Sequence, residues 1–193
     1  MTEQPTFYFD LGSPYAYLAA ERVHDVLPVA PIWQPILLGG IWAQSGGGSW
    51  SLTDARDEGM AEVERRAAER EMMPIRWPDP WPANYLKAMR TAIFCQQIGR
   101  TVAFAQAAFR QAFAAGRDLS EMDNVLIAAA ACELHPNAIL KAIETQSVKD
   151  RLKQATQEAY DRGVRGVPSV AVGDEVFWGD DRLEDAAAAL AKA

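Results

Sequence analysis

Between Thr6 and Ile36 two strand signals flank one helix signal, and this order constrains the fold more than any other feature of the chain. Thr6-Phe7-Tyr8-Phe9-Asp10 is aromatic and β-favouring, and Leu11-Gly12 breaks it. Ser13 then suits an N-cap and Pro14 a first helical position, while Tyr17, Leu18, Glu21, Val23 and Val26 continue at helical spacing to about Leu27. Beyond Pro28 and Pro31, Ile32-Trp33-Gln34-Pro35-Ile36 reads as a second strand whose proline places it at an edge or a strand end. Strands joined through a helix are usually parallel with a right-handed crossover, so the chain opens as a β-α-β unit.

The middle of the chain changes character. Leu37-Leu38-Gly39-Gly40-Ile41-Trp42 leads into Ser45-Gly46-Gly47-Gly48-Ser49, which reads as a mobile loop, and a charged helix is expected from Thr53 to Glu71. No Lys-Ser/Thr pair follows these glycines and no strand aims at them, so a nucleotide site is rejected. Four prolines and two tryptophans between Met73 and Asn84 exclude a regular helix and suggest a pocket edge or a core-plugging connector. Tyr85 to Leu152 is alanine-rich and helical, with breaks at Gly99, near Gly116-Arg117-Asp118 and at His135-Pro136. Within it Val102, Ala105, Phe109 and Phe113 form a stripe for burial.

A helix over Ser147–Asp161 stops at Gly163-Val164-Arg165-Gly166, followed by a hairpin: Val167 to Val172, a Gly173-Asp174 turn, then Glu175 to Gly179. Asp180 and Asp181 open a last helix to about Lys192, with Asp181 and Glu184 at capping-box spacing. The resulting order, βαβ, a helical insertion, then αββα, is an α/β thioredoxin-like fold. Residues 1–36 and 147–193 supply the thioredoxin-like part, and 37–146 the helical insertion lobe.

Charge and cysteine content narrow the partners. A formal charge of -7, with no basic run beyond Arg65-Arg66, argues against nucleic acid and anionic membranes. No basic-then-apolar leader opens the chain and no apolar run is long enough to span a bilayer, so a cytoplasmic protein is expected. Cys95 and Cys132 lie far apart in helical sequence, as reduced buried thiols do. His24 and His135 show no zinc-like spacing, and no metal is expected.

Three segments, SPYAYLAAE, RGVPSV and FWGDDRLED, together with LLGGIW and NYLKAMR, resemble the DsbA-like branch of the thioredoxin superfamily. Within it they are most similar to 2-hydroxychromene-2-carboxylate isomerases and kappa-class glutathione transferases, whose first helix opens with Ser-Pro-Tyr or Ser-Pro-Phe. The resemblance implies glutathione as cofactor, held by Ser13, Pro14, Tyr15, Val167, Pro168, Asp180 and Asp181, with a cis Val167-Pro168 bond. It implies that Val167 pairs with the cysteinyl backbone and that Asp180-Asp181 hold the γ-glutamyl end. Where relatives often place an asparagine that contacts glutathione, direct register puts Gly47, and Arg76 is the basic residue that could approach a carboxylate.

Dithiol redox chemistry needs two sulfurs three positions apart, and here Ser13 and Ala16 stand in those places. A helix N-terminus still favours an anion, so the Ser13 hydroxyl can stabilise the thiolate of a bound thiol. The bland reading of Ser13-Pro14 is a cap worth about 1 kcal/mol, and both roles can coexist. The expected activity is isomerisation of a small aromatic degradation intermediate, with Ser13 catalytic and Trp42, Trp77, Trp81 and Tyr15 near the substrate. A kappa-like glutathione transferase and a thiol-peptide binding module without catalysis are the alternatives. The resembled families commonly form homodimers; the sequence leaves the oligomeric state open.

Overall fold

The computed structural model describes residues 4–192. Its sheet has the order β2-β1-β3-β4, from β1 (Thr6–Phe9), β2 (Ile32–Pro35), β3 (Ser169–Val172) and β4 (Glu175–Trp178). β1 pairs in parallel with β2 and antiparallel with β3, and β3 with β4 forms the antiparallel hairpin. The strand from the start of the chain is therefore central, flanked by an early strand and a late one. This is the DsbA-like thioredoxin arrangement expected above, with helices on the sheet and a helical lobe between its halves.

The first helix is shorter than its apolar period predicts. It divides into α1 (Pro14–Ala20) and α2 (Val23–Val26). No glycine or proline causes the break. Instead the residues at the joint turn outward to distant partners: Glu21 takes two 2.8 Å hydrogen bonds from Arg110, while Arg22 pairs with Glu184 and reaches Asp180 O at 3.5 Å.

A helix, α3 (Leu38–Ser45), runs through Gly39-Gly40, a segment to which the sequence assigns no element. A Cβ on Gly40 would stand 2.9 Å from Thr156 Cγ2, and Thr156 Oγ1 accepts the Leu37 N–H at 2.9 Å. Gly40 thus lets α3 pack closely on α9 (Gln146–Asp161), which outweighs low intrinsic propensity. Gly46, in the left-handed region at φ 73°, ends it.

A 3-10 turn (Trp50–Leu52) precedes α4 (Arg56–Glu69), then an irregular segment leads to α5 (Leu86–Gln97). The lobe continues with α6 (Thr101–Phe113), α7 (Met122–Ala130) and α8 (Pro136–Ala142). Ala105, Phe109 and Phe113 of the expected stripe are fully buried, while Val102 is only partly so and Phe104 is buried beside them. Phe9 meets Phe109 with ring centroids 5.9 Å apart, joining sheet and lobe in one core. The last helix, α10 (Leu183–Leu190), begins later than expected with Arg182 at its cap, so no capping box forms between Asp181 and Glu184.

Candidate active site

Ser13 caps α1 as its sequence context predicts: Oγ accepts the Ala16 N–H at 3.2 Å. The same hydroxyl donates to Val167 O at 3.4 Å, across 154 positions. That second bond is long, so the proton is weakly held by the carbonyl. The Val167-Pro168 bond is cis. Val167 N–H makes no hydrogen bond within the described residues, although Val167 is buried. A free backbone N–H beside a weakly committed hydroxyl suits an extended ligand with a thiolate.

Both groups open into a cleft of about 950 Å³, where Pro14, Tyr15, Pro168, Asp180 and Asp181 also lie. The two aspartates differ. Asp180 is 1% exposed: Oδ1 accepts from Arg66 Nη1 at 2.6 Å, and Oδ2 lies 2.6 Å from Arg70 Nη1 without hydrogen-bond alignment. Its side chain is thereby engaged with α4. The Asp181 side chain is 60% exposed and 3.8 Å from Arg66. Gly179, at φ 126°, holds a backbone conformation that side chains rarely adopt, and a Cβ there would also displace the Asp181 carboxylate, whose Oδ1 lies 2.4 Å away. Asp181 is thus the exposed, loosely paired carboxylate of the two.

Aromatic rings form one wall. Trp50 stands 6.0 Å from Tyr15 and 5.5 Å from Trp81, and Trp81 Nε1 donates to Gly12 O at 3.2 Å. Trp42 lines the cleft too. Trp77 lies behind Trp81, 4.7 Å between centroids, with its indole N–H on Glu64 at 2.7 Å; it supports the wall without lining it. Trp178 and Tyr85 also line the cleft, and like them Trp50 is a ring that sequence reasoning missed. Its signal was a tryptophan placed directly after the glycine tract that joins the rim.

The glycine tract itself borders the cleft. A Cβ at Gly47 would come within 2.8 Å of Trp42 Cδ1, so the indole occupies the room an asparagine there would need. Arg76 is exposed and outside the cleft, its backbone N–H bonded to Phe113 O at 2.8 Å. Arg66 and Arg165 are the basic residues that line the cleft, and Arg66 is stacked 5.4 Å over Tyr15 and bonded to Glu62 at 2.7 Å. Burial pushes the Tyr15 phenol above its ordinary 10.0.

At the floor, Asp10 follows β1. Its Oδ1 accepts the Gly12 N–H and Oδ2 the Leu38 N–H, both at 2.9 Å. Burial pushes this carboxyl above the usual range despite those two donors. Cys95 and Cys132 are buried free thiols outside the cleft, and burial pushes Cys95 up to about 12. Among the described residues no cluster of His, Cys, Asp or Glu is arranged to hold a metal, and no helix is long and apolar enough to cross a membrane.

Comparison with known proteins gives three further findings. Residues 6–191 match the DSBA-like thioredoxin domain profile. A 2-hydroxychromene-2-carboxylate isomerase of Sphingobium xenophagum is 28% identical over 196 residues, spanning 95% of this chain and 96% of the relative, while glutathione S-transferase kappa 1 of Homo sapiens is 25% identical across 92% and 86%. A solved 2-hydroxychromene-2-carboxylate isomerase structure shares the fold with a TM-score of 0.88 at 21% identity, covering 98% of this chain and 95% of the other.

Proposed function

The chain belongs to the DSBA-like thioredoxin domain family, and from that premise we propose that it is a glutathione-dependent isomerase of the 2-hydroxychromene-2-carboxylate type, acting on an aromatic degradation intermediate. The observation that carries this reading is the meeting of Ser13 Oγ with Val167 O at 3.4 Å in a cleft walled by tryptophans. The full-length relationship to isomerases supports the choice of reaction.

The residues present fit glutathione, which supplies a thiolate nucleophile when bound. Ser13 turns its hydroxyl proton toward the sulfur and stabilises negative charge there. Because α1 has seven residues, this role rests on the hydroxyl and the first-turn N–H of Tyr15 more than on a long-helix dipole. Val167 uses its N–H and C=O to hold the cysteinyl backbone in an extended strand, beside Pro168. Asp181 takes the γ-glutamyl amine, while Asp180 fixes Arg66 at the rim. Pro14 and Tyr15 shape the near wall, and Trp42, Trp50 and Trp81 receive the aromatic substrate. Two buried, unbridged thiols suit a reducing compartment, so action in the cytoplasm is part of the proposal.

The relationship to a kappa glutathione transferase favours a second reading, in which the same thiolate forms a lasting conjugate. Calorimetry with glutathione and turnover of 2-hydroxychromene-2-carboxylate test both. Binding with a rearranged product and regenerated thiol is expected. A stable conjugate supports the transferase, and no binding at about 1 mM, equivalent to about -4 kcal/mol, overturns both.

A further inference from the structure

We propose that Asp10 is a catalytic residue of this cleft, carrying a proton from the hydroxyl to the ring oxygen as a cyclic hemiketal opens. The inference rests on the isomerase reading above. In a 2-hydroxychromene-2-carboxylate, C2 bears both a hydroxyl and the ring oxygen. Opening that ring requires one proton to leave the first oxygen and one to reach the second.

Asp10 is built for such a transfer. One backbone N–H holds each of its oxygens, from Gly12 on the turn before Ser13 and from Leu38 at the start of α3. Two donors fix the carboxyl plane yet leave each oxygen a further lone pair. The side chain is neither sealed off nor fully exposed, and it lines the cleft together with the apolar residues Leu37, Leu38, Leu86 and Met89. Tyr85, at the N-terminus of α5, is the titratable group facing it, and no cation pairs with Asp10 among the described residues.

The cleft's other acidic groups are committed elsewhere. Asp180 is held by two arginines, and Asp181 stands at the exposed rim near Arg66. Neither histidine and neither cysteine lines the cleft. Burial raises the proton affinity of Asp10 toward the operating pH, where one group both takes and gives a proton most effectively.

The step balances within Asp10 and the substrate. The carboxylate takes the C2 hydroxyl proton, and the freed O–H electron pair becomes the second bond of a C2 carbonyl. The bond from C2 to the ring oxygen breaks, its pair going to that oxygen, and Asp10 returns the proton there to give a phenol. Nothing is oxidised or reduced, and the carboxylate is regenerated.

The test compares wild type, Asp10→Asn and Asp10→Ala. With glutathione saturating, Asp10→Asn should lower kcat on 2-hydroxychromene-2-carboxylate by about 100-fold or more, with the glutathione affinity unchanged in calorimetry. Formate and acetate should rescue Asp10→Ala at rates that follow the proton affinity of the added acid, a dependence that a merely structural carboxylate lacks. Without glutathione, carbon-13 NMR of wild type labelled at aspartate carboxyls should show a group titrating above about 3.9 that shifts when the chromene is added, a readout available even if the variants fail to fold. Wild-type turnover in Asp10→Asn, or no such titrating carboxyl, overturns the proposal for Asp10 alone. A wild-type protein that binds glutathione but leaves the chromene unchanged overturns the isomerase reading as well.

Discussion

Asp180 Oδ1 stands 2.6 Å from Arg66 Nη1, a contact between residues 114 positions apart that fastens α4 to the loop before the last helix. With Arg70 on the other oxygen, the carboxylate is flanked by two guanidiniums that are only about a fifth exposed. Replacing Asp180 with asparagine deprives Arg70 of its carboxylate partner and leaves Arg66 with Glu62 and the more distant Asp181. We expect a loss of about 2–4 kcal/mol in denaturant unfolding, below the fully buried case because the arginines reach solvent.

Asp181→Asn should behave in the opposite manner. The exposed carboxylate contributes little to stability, about 0–1 kcal/mol, yet the variant should bind glutathione at least several-fold more weakly in calorimetry. Equal effects of the two aspartate substitutions on stability and binding would refute this division of labour.

Ser13→Ala removes a cap and a hydroxyl together. Loss of the bond to Ala16 N–H predicts about 1 kcal/mol lower stability, and loss of the charge-stabilising donor predicts turnover reduced by about 100-fold. Ultraviolet thiolate absorbance of bound glutathione, titrated with pH in both proteins, isolates the second effect. A thiol that ionises identically in wild type and variant would leave Ser13 with its capping role only.

Gly59→Ala in α4 should damage the substrate wall despite better helix propensity. A Cβ there meets Trp50 Cε3 at 2.3 Å, so the ring must move. Propensity favours alanine by about 1 kcal/mol, whereas displacing a packed ring costs about 1–3 kcal/mol. The expected result is a changed tryptophan emission and a higher KM for the aromatic substrate with glutathione affinity preserved.

Alkaline pH should destabilise the fold in part through Cys95. Burial holds this thiol at about 12 against an ordinary 9.0, so the unfolded chain releases its proton first. Its contribution is complete below 9.0 and is lost as pH rises toward about 12. Denaturant titrations across this window should show stability falling less steeply for Cys95→Ala. Insulin reduction should be the same for wild type and a Cys95→Ser, Cys132→Ser variant, since neither sulfur reaches the cleft.

Local chemistry made much of this fold legible in the sequence. The Thr6-Phe9 strand, the Ser13-Pro14 helix start and the Gly173-Asp174 hairpin turn all follow from side-chain preferences over a few residues. What escaped depends on distant partners. The break after Ala20 is tied to Arg110 and Glu184, and helical Gly39-Gly40 to the approach of Thr156. The same holds at the site. Asp180-Asp181 reads as one acidic pair in sequence, and only Arg66 and Arg70, folded in from α4, make one aspartate a structural counter-ion and leave the other to face the cleft. Trp42 filling the space beside Gly47 is likewise invisible along the chain, whereas the positions of Ser13 and Val167 could be anticipated from their motifs.

The long span between Ser13 and Val167 has a consequence for biosynthesis. The hydroxyl emerges from the ribosome 154 positions before its carbonyl partner and ahead of the two strands that follow that partner. Because β1 also waits for β3 to complete its pairing, the cleft assembles only once Val167 and β3 have both been translated. A growing polypeptide would therefore carry Ser13 across those 154 positions with one side of its cleft still missing, and a message truncated before Val167 would never complete it.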